Sequence, residues 1–169
     1  DYPSPLAGLN LAMDLTVTVQ SQPAISGLVS VQDDPNAGPW SGMILDMDGT
    51  SLTSDDQILI ATATIREQFG VTQLTDVVLG EATSKVGDII PPVDLMTADV
   101  TEDLAAESYE GMLVNFADIT IVENLRFGEW EFTNGTEDDA VLGDGASDSF
   151  PDDNSVFEAG ERYDFLKGI

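Results

Sequence analysis

The side chains best able to do chemistry in this sequence are carboxylates: 32 Asp and Glu stand against 5 Lys and Arg, with no His and no Cys, for a formal net charge of -27. Hard oxygen donors in glycine-rich loops suit Ca2+, which takes about 6–8 oxygens from carboxylates, amides and carbonyls. Three groups offer them. Asp33, Asp34 and Asn36 form the first, and Asp46, Asp48, Asp55 and Asp56 the second. Asp144, Asp148, Asp152, Asp153, Asn154 and Glu158 form the third and richest. None has EF-hand spacing, because in Asp46-Met47-Asp48-Gly49 the glycine comes too early and no bidentate Glu closes the loop. Ca2+ is therefore the expected cofactor, with a solvated acidic loop as the alternative at each group.

The missing residue types narrow the chemistry further. Without His and Cys the chain lacks the commonest general base, thiolate nucleophiles and the usual zinc ligands. Folding could bring almost any two of 32 acids to a glycosidase separation, so that signal has no specificity. No nucleophile–base pair or oxyanion motif stands out, and no enzymatic activity is expected. A surface this negative repels phosphate backbones and anionic lipid. The five cations, Arg66, Lys85, Arg126, Arg162 and Lys167, are dispersed, so direct nucleic-acid binding is not expected. No stretch approaches the ~20 apolar residues of a spanning helix, and no membrane insertion is expected. A first residue Asp1 and the lack of Cys point to an exported protein, extracellular or at the cell surface. Acidity of a salt-adapted cytoplasmic protein is the alternative account.

The elements that must position these residues read as strands. Apolar residues make up 42% of the chain, enough for a real core. Leu15 to Gln20 alternates apolar and polar residues, placing Leu15, Val17 and Val19 on one face. Further strands are predicted at residues 25–32, 40–46, 57–65 and 70–78, separated by turn formers such as Asp33 to Pro39 and Asp48-Gly49. Five short strands in about eighty residues suit a small antiparallel barrel. Pro91-Pro92 interrupts any regular element, and a short helix is predicted from Thr97 or Thr101 toward Tyr109, with acids in its first turn. Strands follow at residues 112–122, 128–133, 140–142 and 161–169. Trp40, Trp130 and Phe132 are expected as packing residues rather than stacking platforms. Asn134-Gly135-Thr136 has the form of a glycosylation sequon, but Asn-Gly is read as a turn.

The two halves share one order: strand, aromatic-bearing hairpin, Asp-Gly turn, acidic loop, strand. Five blocks carry a family likeness: Val31-Gln32-Asp33-Asp34-Pro35; Gly38-Pro39-Trp40-Ser41-Gly42-Met43-Ile44; the segment Phe69 to Val77; Tyr109-Glu110-Gly111-Met112-Leu113-Val114; and Gly128-Glu129-Trp130. Together they resemble the paired OB-fold modules of large secreted bacterial proteins, which often accompany extracellular nucleases or cell-surface anchors. The resemblance implies an all-β fold of two tandem OB-like antiparallel barrels with one short helix near the junction. The organisation expected is an N-terminal extension at 1–14, a first module at 15–80, a linker with the helix at 81–108, and a second module at 109–169.

The second module is expected to lack its closing strand, because nothing after residue 161 matches the Phe69 to Val77 segment. Such an edge leaves backbone groups unpaired. The extension, apolar at Leu6, Leu9, Leu11 and Met13, is the candidate donor from a neighbouring copy, and head-to-tail donation would build a homopolymer filament. The expected function is thus non-enzymatic and structural. The alternative is an accessory module of a secreted nuclease, binding nucleic acid or carbohydrate.

Overall fold

The computed structural model describes residues 5–20, 27–33, 36, 38–47, 52–68, 70–80, 90–125, 129–144 and 157–168. Among the described residues the chain is mostly β, in two sheets, with one short α-helix. It divides into two compact units, Asp1–Pro91 with Tyr109–Leu113, and Pro92–Ser108 with Val114–Gly168.

In the first unit, β1 (Asn10–Val19), β2 (Leu28–Gln32), β3 (Gly42–Asp46), β4 (Gln57–Gln68) and β5 (Val71–Leu79) pair in a closed order, β1-β2-β3-β5-β4 and back to β1. All pairings are antiparallel except β3 with β5, which is parallel through Ile44–Gln73 and Leu45–Leu74. Alternation of β-branched and polar residues explains the result: Val17, Val19, Val29, Val31, Leu45, Ile58, Ile60 and Leu74 turn inward and form one buried cluster. Each such burial is worth about 1.5–3 kcal/mol relative to exposure.

β1 starts earlier than its sequence signal suggests. Asn10, Leu11 and Ala12 pair with Thr64, Ala63 and Thr62 of β4, and the Gly8 amide donates to the Ile65 carbonyl. Leu11 and Met13, expected in a detached donor segment, pack instead against the first unit's own core. The alternation at 11, 13, 15 and 17 runs unbroken into β1, so these side chains have a place on its inner face. Leu6 and Leu9 stay about half exposed.

Aspartates shape the long strands. Asp14 in β1, Asp76 in β5 and Asp118 in β7 (Val114–Asn124) have φ of 44, 50 and 53°. Met13 and Asp14 oppose a single β4 residue, as do Asp76 and Val77, which makes each pair a bulge. Asp118 lets β7 change face: Phe116 and Ile119 are both buried while Ala117 and Asp118 between them are exposed. Asp tolerates this left-handed region better than most residues because its short side chain can bond locally. Asp118→Val should lower the second unit's stability by about 1–2 kcal/mol. Asp118→Gly, free of the side-chain clash, should stay within about 0.5 kcal/mol of the parent in the same thermal unfolding measurement.

The second unit begins with β6 (Val93–Asp94), a 3-10 turn at Thr97–Val100 and α1 (Asp103–Glu107). Much of the expected 81–108 linker thus groups with the second unit, and β6 pairs in parallel with the start of β7. β7, β8 (Glu129–Thr133), β9 (Val141–Asp144) and β10 (Arg162–Gly168) form an open sheet of order β10-β7-β8-β9. Its core is a chain of rings: Phe116 on Phe132 at 5.2 Å, Phe132 on Trp130 at 5.1 Å, Trp130 on Phe157 at 4.6 Å, and Phe157 on Tyr163 at 5.5 Å.

The pairing registers of the two units coincide. Val19 opposes Val31 as Ile121 opposes Phe132; Val29 opposes Leu45 as Trp130 opposes Gly143; Leu15 opposes Ile60 as Ala117 opposes Phe165. The turn before the fourth strand is repeated too. Asp56 accepts the Thr53 amide on its carboxylate, and Glu161 accepts the Glu158 amide. Asp55 and Gly160, both at positive φ, donate their amides to the carbonyls of Val19 and Ile121. The second sheet is a copy of the first through four strands, and no counterpart of β5 is present among the described residues.

Candidate functional site

Two places in the structure stand out for what their residues could do. The first is the seat of Tyr109–Leu113 on the first unit. Ser30 and Gln32 alternate with the inward Val29 and Val31, so they point away from the core, yet they are only 2% and 1% exposed. The strap at 109–113 covers them. Ser30 Oγ donates to the Gly111 carbonyl at 2.6 Å, Gln32 Oε1 accepts the Leu113 amide at 3.1 Å, and Glu110 Oε1 accepts the Thr72 amide at 2.7 Å. Gln32 also reaches Ser41, whose hydroxyl donates to the Gly38 carbonyl at 2.6 Å. Met112 is fully buried, and Gly42 and Gly111 permit the close approach, Gly111 at φ +70°. Four of the five sequence blocks that carried the resemblance meet here. Their polar groups are engaged with backbone, so the arrangement fastens a segment rather than presenting reactive atoms.

The acidic groups stay apart. Asp33 and Asn36 are exposed, Asp46 ends β3 half-buried, Asp55 is exposed and Asp56 caps its turn. Asp34, Asp48, Asp148, Asp152, Asp153 and Asn154, with the side chain of Asp144, lie outside the described residues. Glu158 is exposed in the turn before β10. Among the described residues no three His, Cys, Asp or Glu side chains gather as a metal site. Asn134 does not sit in a tight two-residue hairpin turn: its side-chain amide accepts the Thr97 N–H at 2.8 Å and donates to the Leu95 carbonyl at 3.1 Å, fixing the 3-10 turn beside β8.

Trp130 and Phe132 are core residues as expected, whereas Trp40 is not: it is 64% exposed, at φ 67°. Its neighbour Ser41 turns inward and holds the loop, which leaves the indole outside.

The second place is the open edge of the second sheet. β10 pairs only with β7, and β9 only with β8, among the described residues. Each edge strand carries an exposed large apolar side chain, Phe165 at 60% and Leu142 at 59%. Arg162 and Lys167 are on β10, and the Lys167 ammonium sits 5.5 Å from the Phe165 ring centre. Chemically, such an edge offers a row of amides and carbonyls to another strand.

The turn leading into β10 has its own electrostatics. Glu161 takes the Glu158 amide at 3.0 Å and the Tyr163 hydroxyl at 2.7 Å, which hold its carboxyl below the ordinary glutamate range, and the Glu161 carboxylate raises the Tyr163 phenol. A depressed folded value gives stability that is present above the unfolded glutamate value and lost as pH falls through the folded one. Glu161→Gln should lower the unfolding midpoint at neutral pH, and its difference from the parent should close on acidification below the glutamate range. An unchanged difference at low pH would show that the carboxylate charge is not what stabilises the turn.

Sequence reasoning missed the strap and the Glu161 turn. The only trace of the first was the Glu110-Gly111-Met112 run; of the second, an acid three residues after Glu158 just ahead of a strand. Compared with family models, curated proteins and solved structures, the chain matches none.

Proposed function

We propose that this chain is a non-enzymatic structural protein of the cell exterior, made of two OB-like modules, that assembles with its own copies by adding a β-strand to the second module. The observation that carries the reading is that β9 and β10 are each paired on one side only among the described residues, in a sheet whose registers repeat those of a closed one. The first unit's order, with β3 and β5 parallel and β1 bridging β2 and β4, supports the OB likeness. A net charge of -27 opposes association of copies until salt or divalent cations screen it, which makes Ca2+ a natural promoter. The donor is not the stretch from Leu9 to Met13, which β1 and its approach occupy. Electron microscopy and light scattering of the purified chain, with Ca2+ and with chelator, test the reading. Ordered fibres support it, and dispersed particles in both conditions at high protein concentration refute it.

The exposed Trp40 favours a second reading, an accessory module that stacks a neutral sugar ring. Saturable quenching of its fluorescence by neutral oligosaccharides, abolished in Trp40→Ala, would select that reading.

A further inference from the structure

We infer that the β10 edge is a socket for a strand of β5 chemistry, entering antiparallel to β10 and parallel to β9, with an apolar side chain set opposite Phe165. The inference rests on the strand-addition reading above and names what that strand must be. The first unit supplies the template. Aligning Asp56 with Glu161 by their identical turn bonds makes Ile60 the counterpart of Phe165, and the shared pairing of Leu15–Ile60 and Ala117–Phe165 agrees. Ile60 is fully buried and opposes Leu79 of β5; among the described residues Phe165 has no such neighbour, and it is 60% exposed. The same position is thus dry where the fifth strand is present and wet where it is not.

The backbone agrees with the side chains. Gly80, just past β5, donates its amide to the Leu59 carbonyl at 2.8 Å, and Asp164 is the counterpart of Leu59. On the other edge Ile44 opposes Gln73 of β5, and its counterpart by register is Leu142, which is 59% exposed. Charge points the same way. β10 carries Arg162 and Lys167, two of the chain's five Lys and Arg, while β5 carries Asp76 and no cation. With Asp164 counted, β10 keeps one net positive charge (two cations less one acid), so a neutral or acidic strand meets there no net repulsion in a chain of charge -27.

The test uses the full chain and a fluorescent synthetic peptide with the β5 sequence, Val71–Leu79. Saturable binding is expected, with amide exchange slowed in β10 and not in the first unit. Replacing the peptide's Leu79 by Asp, or Phe165→Asp in the protein, should weaken binding by about tenfold or more, the loss of one buried large apolar contact. Phe165 is already exposed, so the protein variant should keep its unfolding midpoint. No binding, protection confined to the first unit, or β10 amides already slow in the chain alone would each overturn the socket. A chain that takes the peptide yet never forms fibres keeps the socket and removes self-assembly. Fibres that form while the peptide neither binds nor blocks their growth do the reverse.

Discussion

Gly42→Ala is expected to destabilise the first unit by about 3–5 kcal/mol. A Cβ at Gly42 would stand 2.6 Å from the Met112 amide nitrogen and 2.7 Å from the Glu110 carbonyl oxygen, both backbone atoms that cannot swing aside. The strap must lift. With it go the burial of Met112, worth about 1.5–3 kcal/mol, and the bonds from Ser30, Gln32 and Thr72, each worth about 0.5–1.5 kcal/mol. Gly160→Ala is the converse control: its φ is +88° whereas Gly42 is not in the left-handed region, and an added methyl there meets nothing within 4 Å, so only the backbone cost of about 1–2 kcal/mol applies. Urea unfolding measures both, and proteolysis should find residues 109–113 newly cleavable only in the Gly42 variant. A loss for Gly42→Ala no larger than that for Gly160→Ala would mean that the strap yields to the added methyl at little cost.

That contrast also shows where sequence reading stopped. Period-two alternation at Leu15, Val17 and Val19, and again at Ile119 and Ile121, was enough to locate the strands, because inward β-branched residues leave a local signal. The strap left only the Glu110-Gly111-Met112 run: Gln32 and Leu113, like Ser30 and Gly111, lie 81 residues apart, and nothing local in Ser30 or Gln32 says that a distant backbone will cover them. A buried polar residue on an outward face looks like any solvated one until its partner is in place. The same holds for Trp40, whose exposure follows from a positive φ and an inward Ser41 rather than from its neighbours' polarity. Leu11 and Met13 were misplaced for a different reason. Their alternation is visible, but the predicted strand starts at Leu15, just past the bulge that Met13 and Asp14 make in β1. Among the described members of the three acidic groups, the Asp56 carboxylate closes a turn, a task that Glu161 repeats in the second unit.

The shared registers permit a sharper test than any single substitution. Where the first sheet sets Val29 across from Leu45, the second sets Trp130 across from Gly143, a large residue facing none where the other pair is of middling size. The indole lies over Gly143 so closely that a Cβ there would come within 2.7 Å of the ring, and Trp130 is only 7% exposed. Trp130→Val should therefore lower the second unit's stability by about 3 kcal/mol through the cavity it leaves beside Phe132 and Phe157. Gly143→Leu should cost about 1–3 kcal/mol by driving a side chain into the ring. Installed together they recreate the first unit's pair, and the double variant should recover to within about 1.5 kcal/mol of the parent, the residue being the lost ring contact at 4.6 Å with Phe157. The coupling in the double-mutant cycle should then reach about 2.5–4.5 kcal/mol. Additive losses would mean that the matching registers conceal two differently packed cores, and the template by which Phe165 is assigned its missing neighbour would lose its physical basis.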